Sequence, residues 1–270
     1  MGSRNQIISY LQSQGLYLCE AQVLPSFFDP LNQINGRQIK WSKMAKQTNV
    51  AIELKELQAE GMSLASMAAV HQLQLKDQHR LLDVCAAPGM KSLYASSLQE
   101  LDLHSNDLSF ERIKRMERLF LKHGVKSTVS KHDASKIYDQ YPPESFDRIL
   151  IDAPCSGEGL ALTGNDKQTT AWSTAKVKRL QQLQIRILKA AWKLLKPGGR
   201  LVYATCTLNK NENERVIHKA LHIDVVVRQS ALSLDNLPKL ACAEAWRIEP
   251  SQNSIGFFIA VLEKPIGFQD

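Results

Sequence analysis

Residues 81–92 read LLDVCAAPGMKS, in which an apolar run is followed by a turn of small residues and then by Met90 and Lys91. A short apolar run that stops at a turn is typical of a buried strand. Small residues in the turn let a ligand approach the backbone at the start of the next helix, where amide groups are free. The segment lacks the glycines of a G-x-x-x-x-G-K-S phosphate loop and of the dinucleotide motif G-x-G-x-x-G, so neither site is indicated.

The alternation of short apolar runs with helical segments continues along the chain. It predicts an α/β fold, a doubly wound and mostly parallel sheet of seven strands with helices on both faces. One helix is expected from Ser109 to a cap at Gly124, and another from about Thr174 to Leu195 before a Pro-Gly-Gly stop. The expected strands are residues 81–85, 101–105, 127–130, 149–152, 200–204, 225–227 and 256–262.

The first sixty residues mix short apolar stretches with polar spacers and show no sustained alternation. We expect residues 1–60 to form an extension packed on a core and residues 61–270 to form the α/β domain. No apolar run approaches the ~20 residues that cross a bilayer, and the N-terminus lacks the apolar core of a secretory signal. A cytoplasmic protein without a membrane partner is expected.

The composition of the 270 residues is 44% hydrophobic and 23% charged, which is typical of a globular chain and excludes fibrous and disordered ones. The net charge of +7 favours a polyanionic partner. The five cysteines are widely spaced and form no C-x-x-C pair, so neither a disulfide framework nor a zinc site is indicated. The histidines show no metal-ligand spacing either, and no metal is expected.

Acidic residues follow the second and third predicted strands. Asp107 comes about 20 residues after the small-residue turn, where doubly wound folds place an acid that binds ribose hydroxyls. Asp133 follows the third strand. Acids at successive strand ends are typical of a nucleoside site, although a helix N-cap is an equal alternative for Asp133.

The fourth and fifth strands each end near a cysteine, in residues 152–155 (DAPC) and 205–206 (TC). Neighbouring strands lie ~4.8 Å apart, so both thiols should reach one cleft and indicate thiol chemistry. On position alone, two small buried apolar residues are the more common outcome. The segment TLNKNENE after Cys206 carries helix N-cap signals, which predict free amides that would favour its thiolate.

Taken together, these segments resemble the Nop/Sun (Fmu-like) RNA methyltransferases, which make 5-methylcytosine with S-adenosylmethionine. The resemblance covers residues 57–262, and the DAPCSGEG and TCTLN segments are most similar to bacterial small-subunit rRNA members. It implies a Rossmann-like methyltransferase domain. The segments that carry it are LLDVCAAPGMKS, NDLS, FDRILIDAPCSGEG, LLKPGGRLVYATCTLNKNENERVI and GFFIAVLEK.

The resemblance implies that Cys206 is the nucleophile and that Cys155 assists breakdown of the covalent adduct. Carbon 5 of cytosine is a poor nucleophile, so a thiolate must first add to carbon 6, and a proton donor is needed near ring nitrogen 3. We assign that proton to Asp152, which could instead only orient its loop. Lys91 either stabilises negative charge or is a surface lysine. The implied cofactor contacts are Cys85, Ala86, Ala87, Pro88, Gly89, Met90, Lys91, Asp107, Asp133 and Asp152, with Met90 replacing the usual glycine or small polar residue.

We therefore expect an RNA cytosine-5 methyltransferase that uses S-adenosylmethionine and acts on rRNA. A tRNA substrate stays open, and a catalytically silent RNA-binding or assembly factor is the alternative from another class. A DNA enzyme would use the Pro-Cys thiol, whereas the Thr-Cys pair favours RNA. The family's additional RNA-binding domain is not evident in the N-terminal stretch, so a protein partner or the ribosomal subunit could supply that surface.

Basic residues cluster in two segments, residues 109–136 with eight basic and three acidic residues and residues 174–200 with eight basic and none acidic. Phosphate contact is one interpretation, and a solvated helix face is favoured for the second segment. Trp172 and Trp192 could stack on bases, but packing is favoured for both.

Overall fold

In the computed structural model, the described residues are 2–14, 62–161, 172–223, 226–230, 243–248 and 256–266. Eight strands of these residues form one sheet in the order β3-β2-β1-β4-β5-β8-β7-β6. The strands are β1 Arg80–Asp83, β2 Asp102–Asn106, β3 Thr128–Ser130, β4 Phe146–Asp152, β5 Leu195–Thr205, β6 Val226–Ser230, β7 Ala243–Ile248 and β8 Phe257–Glu263. The helices are α1 Gly2–Ser13, α2 Leu64–His71, α3 Met90–Leu98, α4 Phe110–His123, α5 Glu158–Ala161, α6 Thr174–Leu194 and α7 Glu214–Leu221, with a 3₁₀ helix at Ala134–Gln140.

The expected doubly wound α/β fold is confirmed. Strands β1 to β5 pair in parallel, and β8 lies antiparallel between β5 and β7. The strand order reverses between β1 and β4, where Leu82 pairs with Ile149. In such sheets ligands bind outside the carboxyl ends of the strands at this point. The ends of β1, β2, β4 and β5 therefore meet at the edge that carries the predicted site.

Helices cover both faces of the sheet because its central strands are apolar on both sides. Leu81 and Leu82 are consecutive residues of β1 and point to opposite faces. Leu81 packs in the layer that contains α2, α3 and α4, whereas Leu82 packs in the layer that contains α6 and α7. Trp192 is buried in the second layer, as favoured from the sequence.

The two long helices have the expected caps. Ser109 Oγ accepts from the amide of Arg112 at the start of α4, and Gly124 ends that helix with φ of 68°. Helix α6 begins after Ser173, whose Oγ accepts from an amide of the first turn, and ends at Leu194. The Pro-Gly-Gly segment, expected only to stop α6, instead lies within β5, because its backbone hydrogen-bonds to Lys264 beyond β8.

The sheet has one strand more than the expected seven, and the additional strand is β7 (AEAWRI). Its charged residues obscure the apolar alternation that identifies strands. Arg247 is nonetheless buried, because it donates to the Leu208 carbonyl at 3.2 Å and to the Glu214 carboxylate. A buried ion pair with a residue far along the chain gives no local signal in the sequence.

Helix α1 lies against the α/β core. Ile7 and Leu11 are fully buried with Trp172, Val177 and Leu208. Residues 15–61 lie outside the described part of the chain, so a domain boundary near residue 60 remains a prediction. Within the described ranges, every helix is too short or too polar to cross a bilayer.

Candidate active site

The small-residue turn after β1 has the shape that its composition predicts. Gly89 adopts the left-handed conformation (φ 104°) and is the N-cap residue of α3. A Cβ at this position would lie 2.8 Å from Met116 Cγ and 2.9 Å from Phe120 Cε1, so a larger residue would clash. With no side chain to cap it, the first turn of α3 presents its amides at the carboxyl edge of the sheet.

Asp107 is buried at the end of β2 and is held in place by two partners. Its Oδ1 accepts from the amide of Ser109 at 2.9 Å, and its Oδ2 lies 3.1 Å from Arg112 Nη1. Arg112 also donates to the carbonyl of Ala87. Arg112 therefore joins the acid to the small-residue turn, a contact that we did not predict.

Asp133 caps the 3₁₀ helix. Its Oδ1 accepts from the amide of Ser135 at 2.9 Å and from its hydroxyl at 2.8 Å. The backbone hydrogen bond from Ser135 lowers the pKa of Asp133. The N-cap alternative is thus realised at this residue, which is exposed.

Asn106, next to Asp107, has a structural part in the site. Its Nδ2 donates to the carbonyls of Val84 at 3.0 Å and His132 at 3.1 Å. Its Oδ1 accepts from Ser130 Oγ at 3.1 Å. This buried amide fastens together the segments that follow β1, β2 and β3.

Lys91 and Asp152 form an ion pair in the cleft between β1 and β4. Lys91 Nζ lies 2.7 Å from Asp152 Oδ2, and the Lys91 side chain is only 12% exposed. Its ammonium also lies 5.7 Å from the centre of the Phe257 ring. The alternative of a surface lysine is therefore wrong.

A second carboxyl group, Asp83, ends β1 near enough to interact electrostatically with Asp152 and Lys91. It is buried and accepts from Ser92 Oγ at 2.7 Å through Oδ2. Its Oδ1 has no hydrogen-bond partner among the described residues. Burial, together with the negative charge of Asp152, raises the pKa of Asp83 to about 7.

The structure brings the two predicted thiols together. Cys155 Sγ and Cys206 Sγ lie 3.1 Å apart, within hydrogen-bond distance for sulfur. The hydrogen bond with Cys206, and then burial, raises the pKa of Cys155 well above its ordinary value. Cys155 therefore keeps its proton at neutral pH and can donate it to the Cys206 sulfur.

The Cys85 thiol is unsuited to be a nucleophile. Burial raises its pKa, and the nearby carboxylates of Asp83, Asp107 and Asp152 raise it further. The reactive thiolate is therefore scarce at this position.

The N-cap signals after Cys206 predict a helix that starts close behind this residue, but the helix begins only eight residues later. Helix α7 begins at Glu214, and turns occupy the segment before it. The amides of Leu208 and Asn209 are directed at the buried carboxylate of Glu158, at 3.4 and 3.2 Å. This competing acceptor explains the difference, because the amides are satisfied without a helix and do not serve the thiol.

The residues considered for base stacking and phosphate contact lie away from the two thiols and the ion pair. Trp172 is buried and donates from Nε1 to Glu158 Oε1 at 2.9 Å, so it packs rather than stacks on a base. Lys196 is paired with Asp147 at 2.7 Å. Lys196 belongs to β5, whereas the basic residues of α6 are exposed except for the partly buried Lys176. In the part of the chain that the structure describes, no group of three or more metal-ligating side chains occurs.

Comparison with known proteins identifies the family. Residues 70–263 match the family described as 16S rRNA methyltransferase RsmB/F. A Ribosomal RNA small subunit methyltransferase F from Aeromonas salmonicida (strain A449) is 36% identical over 202 residues, which cover 71% of this chain and 41% of that protein. This chain thus spans about two fifths of the length of the curated relatives that it matches.

Solved structures agree with this assignment. The crystal structure of PH0851 has a TM-score of 0.66 at 26% identity and covers 96% of this chain and 56% of that chain. The structure of NSun6 from Pyrococcus horikoshii with SFG has a TM-score of 0.61 at 28% identity and covers 75% of this chain and 52% of that chain. The resemblance to Nop/Sun methyltransferases is confirmed, and the chain belongs to the 16S rRNA methyltransferase RsmB/F family.

Proposed function

We propose that this chain transfers a methyl group from S-adenosylmethionine to carbon 5 of a cytosine in ribosomal RNA, through a covalent bond between Cys206 and the base. The observation that carries the proposal is the pair of sulfur atoms, 3.1 Å apart at the ends of two adjacent strands. The ion pair of Lys91 and Asp152 in the same cleft supports it. The family description and the names of the curated relatives support rRNA as the target.

The residues at the carboxyl edge of the sheet fit S-adenosylmethionine. Residues 85–91 would hold it at the uncapped start of α3, and Asp107 would bind its ribose from a position fixed by Arg112. Asp133 and Asp152 would lie around the same ligand. When bound, the cofactor supplies an electrophilic methyl group.

The side chains then divide the remaining chemistry. Cys206 Sγ adds to carbon 6 of the base, which sends an electron pair toward ring nitrogen 3 and makes carbon 5 nucleophilic. Asp152 passes to nitrogen 3 a proton that it receives from the Lys91 ammonium, its hydrogen-bond donor. After methyl transfer, water takes the proton of carbon 5, the electrons of that C–H bond re-form the carbon 5–carbon 6 double bond, and the Cys206 thiolate leaves. The proton on nitrogen 3 returns to Asp152. Cys155, which keeps its proton, is placed to donate to the departing sulfur.

RNA binding requires more than the residues of the cleft. We propose that a protein partner or the ribosomal subunit itself adds RNA-binding surface to that of this chain, whose net charge of +7 suits a polyanion. The target cytosine must leave its stack to reach the thiols, because carbon 6 cannot be approached within a helix. A ribosomal RNA target also supports the cytoplasmic location expected from the sequence.

Methyl transfer into total RNA tests the proposal. We expect the purified protein to move labelled methyl groups from S-adenosylmethionine into small-subunit rRNA. Bisulfite sequencing of RNA from cells with and without the protein should then show one or a few cytosines that lose methylation. If only tRNA is labelled, the substrate is tRNA rather than rRNA. If methyl groups enter neither free RNA nor ribosomal subunits, the chain is better explained as a catalytically silent assembly factor.

A further inference from the structure

Two fully buried carboxylates follow the thiols, on residues 153–159 (the Cys155 loop, which includes the start of α5) and on residues 206–213 (the Cys206 loop). Glu158 comes three residues after Cys155, and Glu212 comes six residues after Cys206. Both residues are 0% exposed. A carboxylate in the interior is costly unless several donors satisfy it, so the donors of these two groups reveal what each one holds.

The donors to Glu158 come mainly from the other loop. The amides of Leu208 and Asn209 point at Oε2, at 3.4 and 3.2 Å, and the hydroxyl of Thr207 donates to the same oxygen. Trp172 Nε1 donates to Oε1 at 2.9 Å. Glu158, on the Cys155 loop, therefore fixes the three residues that directly follow Cys206.

Glu212 makes the converse arrangement. It lies on the Cys206 loop, and its Oε2 accepts from the amide of Ser156, the residue directly after Cys155, at 3.0 Å. Ser156 also donates its hydroxyl to Oε1. Gln184 Nε2 on α6 donates to Oε2 at 2.8 Å, which ties the arrangement to the helical layer.

One amide joins the two carboxylates. Asn209 Nδ2 lies 2.9 Å from Glu158 Oε1 and 2.8 Å from Glu212 Oε1. Its Oδ1 accepts from the amide of Glu212 at 2.8 Å. A direct bond from the amide of Gly159 to the carbonyl of Cys206, at 3.0 Å, closes the contact between the loops.

We propose that Glu158, Asn209 and Glu212, here called the carboxylate clamp, are positioning residues that hold the Cys155 and Cys206 sulfur atoms in register. The clamp touches no reacting atom and acts through the backbone on either side of the two thiols. The inference rests on the proposed function in taking Cys206 as the nucleophile and Cys155 as its partner. Its geometric content, the spacing of the sulfur atoms, can be measured without RNA or cofactor.

The charges in the clamp explain why an amide is needed between the carboxylates. Burial raises the pKa of Glu212, and the negative charge of Glu158 adds to that rise. Hydrogen bonds from Ser156 and Asn209 oppose it. An amide that donates to both carboxylates offsets their repulsion, so removing it should loosen the loops even though both carboxylates remain.

Oxidation by diamide measures the spacing directly. Two thiols lose their protons and two electrons, one S–S bond forms, and the N=N bond of diamide is reduced to a hydrazine. The Cys155–Cys206 product is quantified by peptide mapping after the remaining thiols are alkylated. We expect the Cys155–Cys206 disulfide to form rapidly in the wild type and more slowly, by about tenfold or more, in Glu158→Gln and Glu212→Gln. Each substitution puts an NH₂ group where the surrounding hydrogen-bond donors need an acceptor.

The matched control is Glu117→Gln, which removes an exposed carboxylate of α4 and should cross-link at the wild-type rate. Circular dichroism and thermal unfolding establish that each variant is folded. If a glutamine variant does not fold, the cross-linking rate of Asn209→Ala tests the inference instead, because this substitution removes only the amide that both carboxylates share. Folded clamp variants that cross-link as fast as the wild type would overturn the inference.

A kinetic measurement separates the clamp from the proposed function. In methyl transfer, clamp variants should lose kcat by tenfold or more while KM for S-adenosylmethionine stays unchanged, because the clamp lies apart from the turn at residues 85–91. A rise in KM for S-adenosylmethionine that accompanies the fall in kcat would indicate that the whole fold has loosened, and would contradict a positioning role. If the wild type itself transfers no methyl group, the proposed function fails, whereas the cross-linking result still decides the spacing.

Discussion

The two sulfur atoms differ in what their surroundings allow. The hydrogen bond with Cys206 and burial raise the pKa of Cys155, which favours its protonated form and suits it to donate a proton rather than to attack. Their separation of 3.1 Å lets that proton pass directly to the other sulfur. These surroundings support the proposal that Cys206 is the nucleophile and that Cys155 assists breakdown of the adduct.

Substitution of each thiol should separate these parts. With RNA and S-adenosylmethionine, we expect Cys155→Ala to accumulate a covalent protein–RNA complex on a denaturing gel, because Cys206 still attacks but leaves poorly. Cys206→Ala should form no complex. The reverse pattern would move the nucleophile to Cys155 and indicate a mechanism like that of DNA cytosine enzymes.

Asp83 should make stability depend on pH. Its pKa is about 7 in the folded chain and 3.8 without its surroundings, so between these values the unfolded chain loses a proton that the folded chain keeps. The free energy of unfolding therefore falls as pH rises from about 4 to 7, by at most about 4 kcal/mol. Below pH 4 and above pH 7 this contribution no longer changes.

Denaturant unfolding of Asp83→Asn tests this dependence. The variant should gain stability relative to the wild type as pH rises from 4 to 7, and the difference should then level off. Asp139→Asn, which removes an exposed carboxylate, serves as control and should show no such rise. A constant difference between Asp83→Asn and the wild type would mean that Asp83 titrates normally.

At the residue level, the place of a side chain in the site can be predicted from the sequence when the residue lies at a strand end, because the strand end determines its surroundings. The placement of Cys155, Cys206 and Asp107 follows from parallel strands that end at one edge. Glu158 is different, because an acid between two glycines looks like part of an exposed loop. Its burial depends on donors 49 to 51 positions away, which no local pattern contains.

Among the elements, helix α1 contacts the segment that follows Cys206. Besides the apolar contact of Leu11, its Tyr10 hydroxyl accepts from Asn211 Nδ2, and Gln14 Oε1 accepts from the amide of Lys210 at 2.7 Å. The Tyr10 and Trp172 rings meet edge to face with centroids 5.3 Å apart. The helix thus braces the turn segment that follows Cys206.

Truncating Leu11 should weaken this brace. Leu11 is 0% exposed, so Leu11→Ala should lower the free energy of unfolding by about 2 to 3 kcal/mol and speed hydrogen exchange in residues 207–211. Leu121→Ala, at a side chain that is 84% exposed, is the control and should change neither quantity. Unchanged exchange in Leu11→Ala would show that the Cys206 loop does not depend on α1.

The elements also show where sequence patterns suffice. Helix α4 was predictable from its Ser109 cap, its apolar face and Gly124, all of which are local. Strand β7 was not, because Arg247 finds its partners on distant segments. The turns after Cys206 were mistaken for a helix start because Glu158 takes the amides that a helix would have left free.

At the scale of the whole chain, we expect the net charge of +7 to govern how RNA is bound. Each phosphate neutralised on a single strand contributes a slope of about −0.7 in log affinity against log salt, so several contacts give a steep dependence. We expect the free protein to bind many RNAs comparably at low salt and to methylate few of them, with the folded or partly assembled ribosomal subunit preferred. Filter binding across a salt series, paired with methyl transfer on the same RNAs, measures both quantities. Tight, salt-insensitive binding to one short RNA would instead indicate base recognition.

The carboxylate clamp also constrains how this sequence can change over generations. Losing Asn209 leaves two buried acids facing each other, and losing either acid leaves buried donors unpaired, so a single substitution on one loop is costly until the other loop changes. Such energies are not additive between contacting residues. The segments around Cys155 and Cys206 should therefore be inherited as a coupled unit, and aligned relatives should show correlated substitutions at 158, 209 and 212.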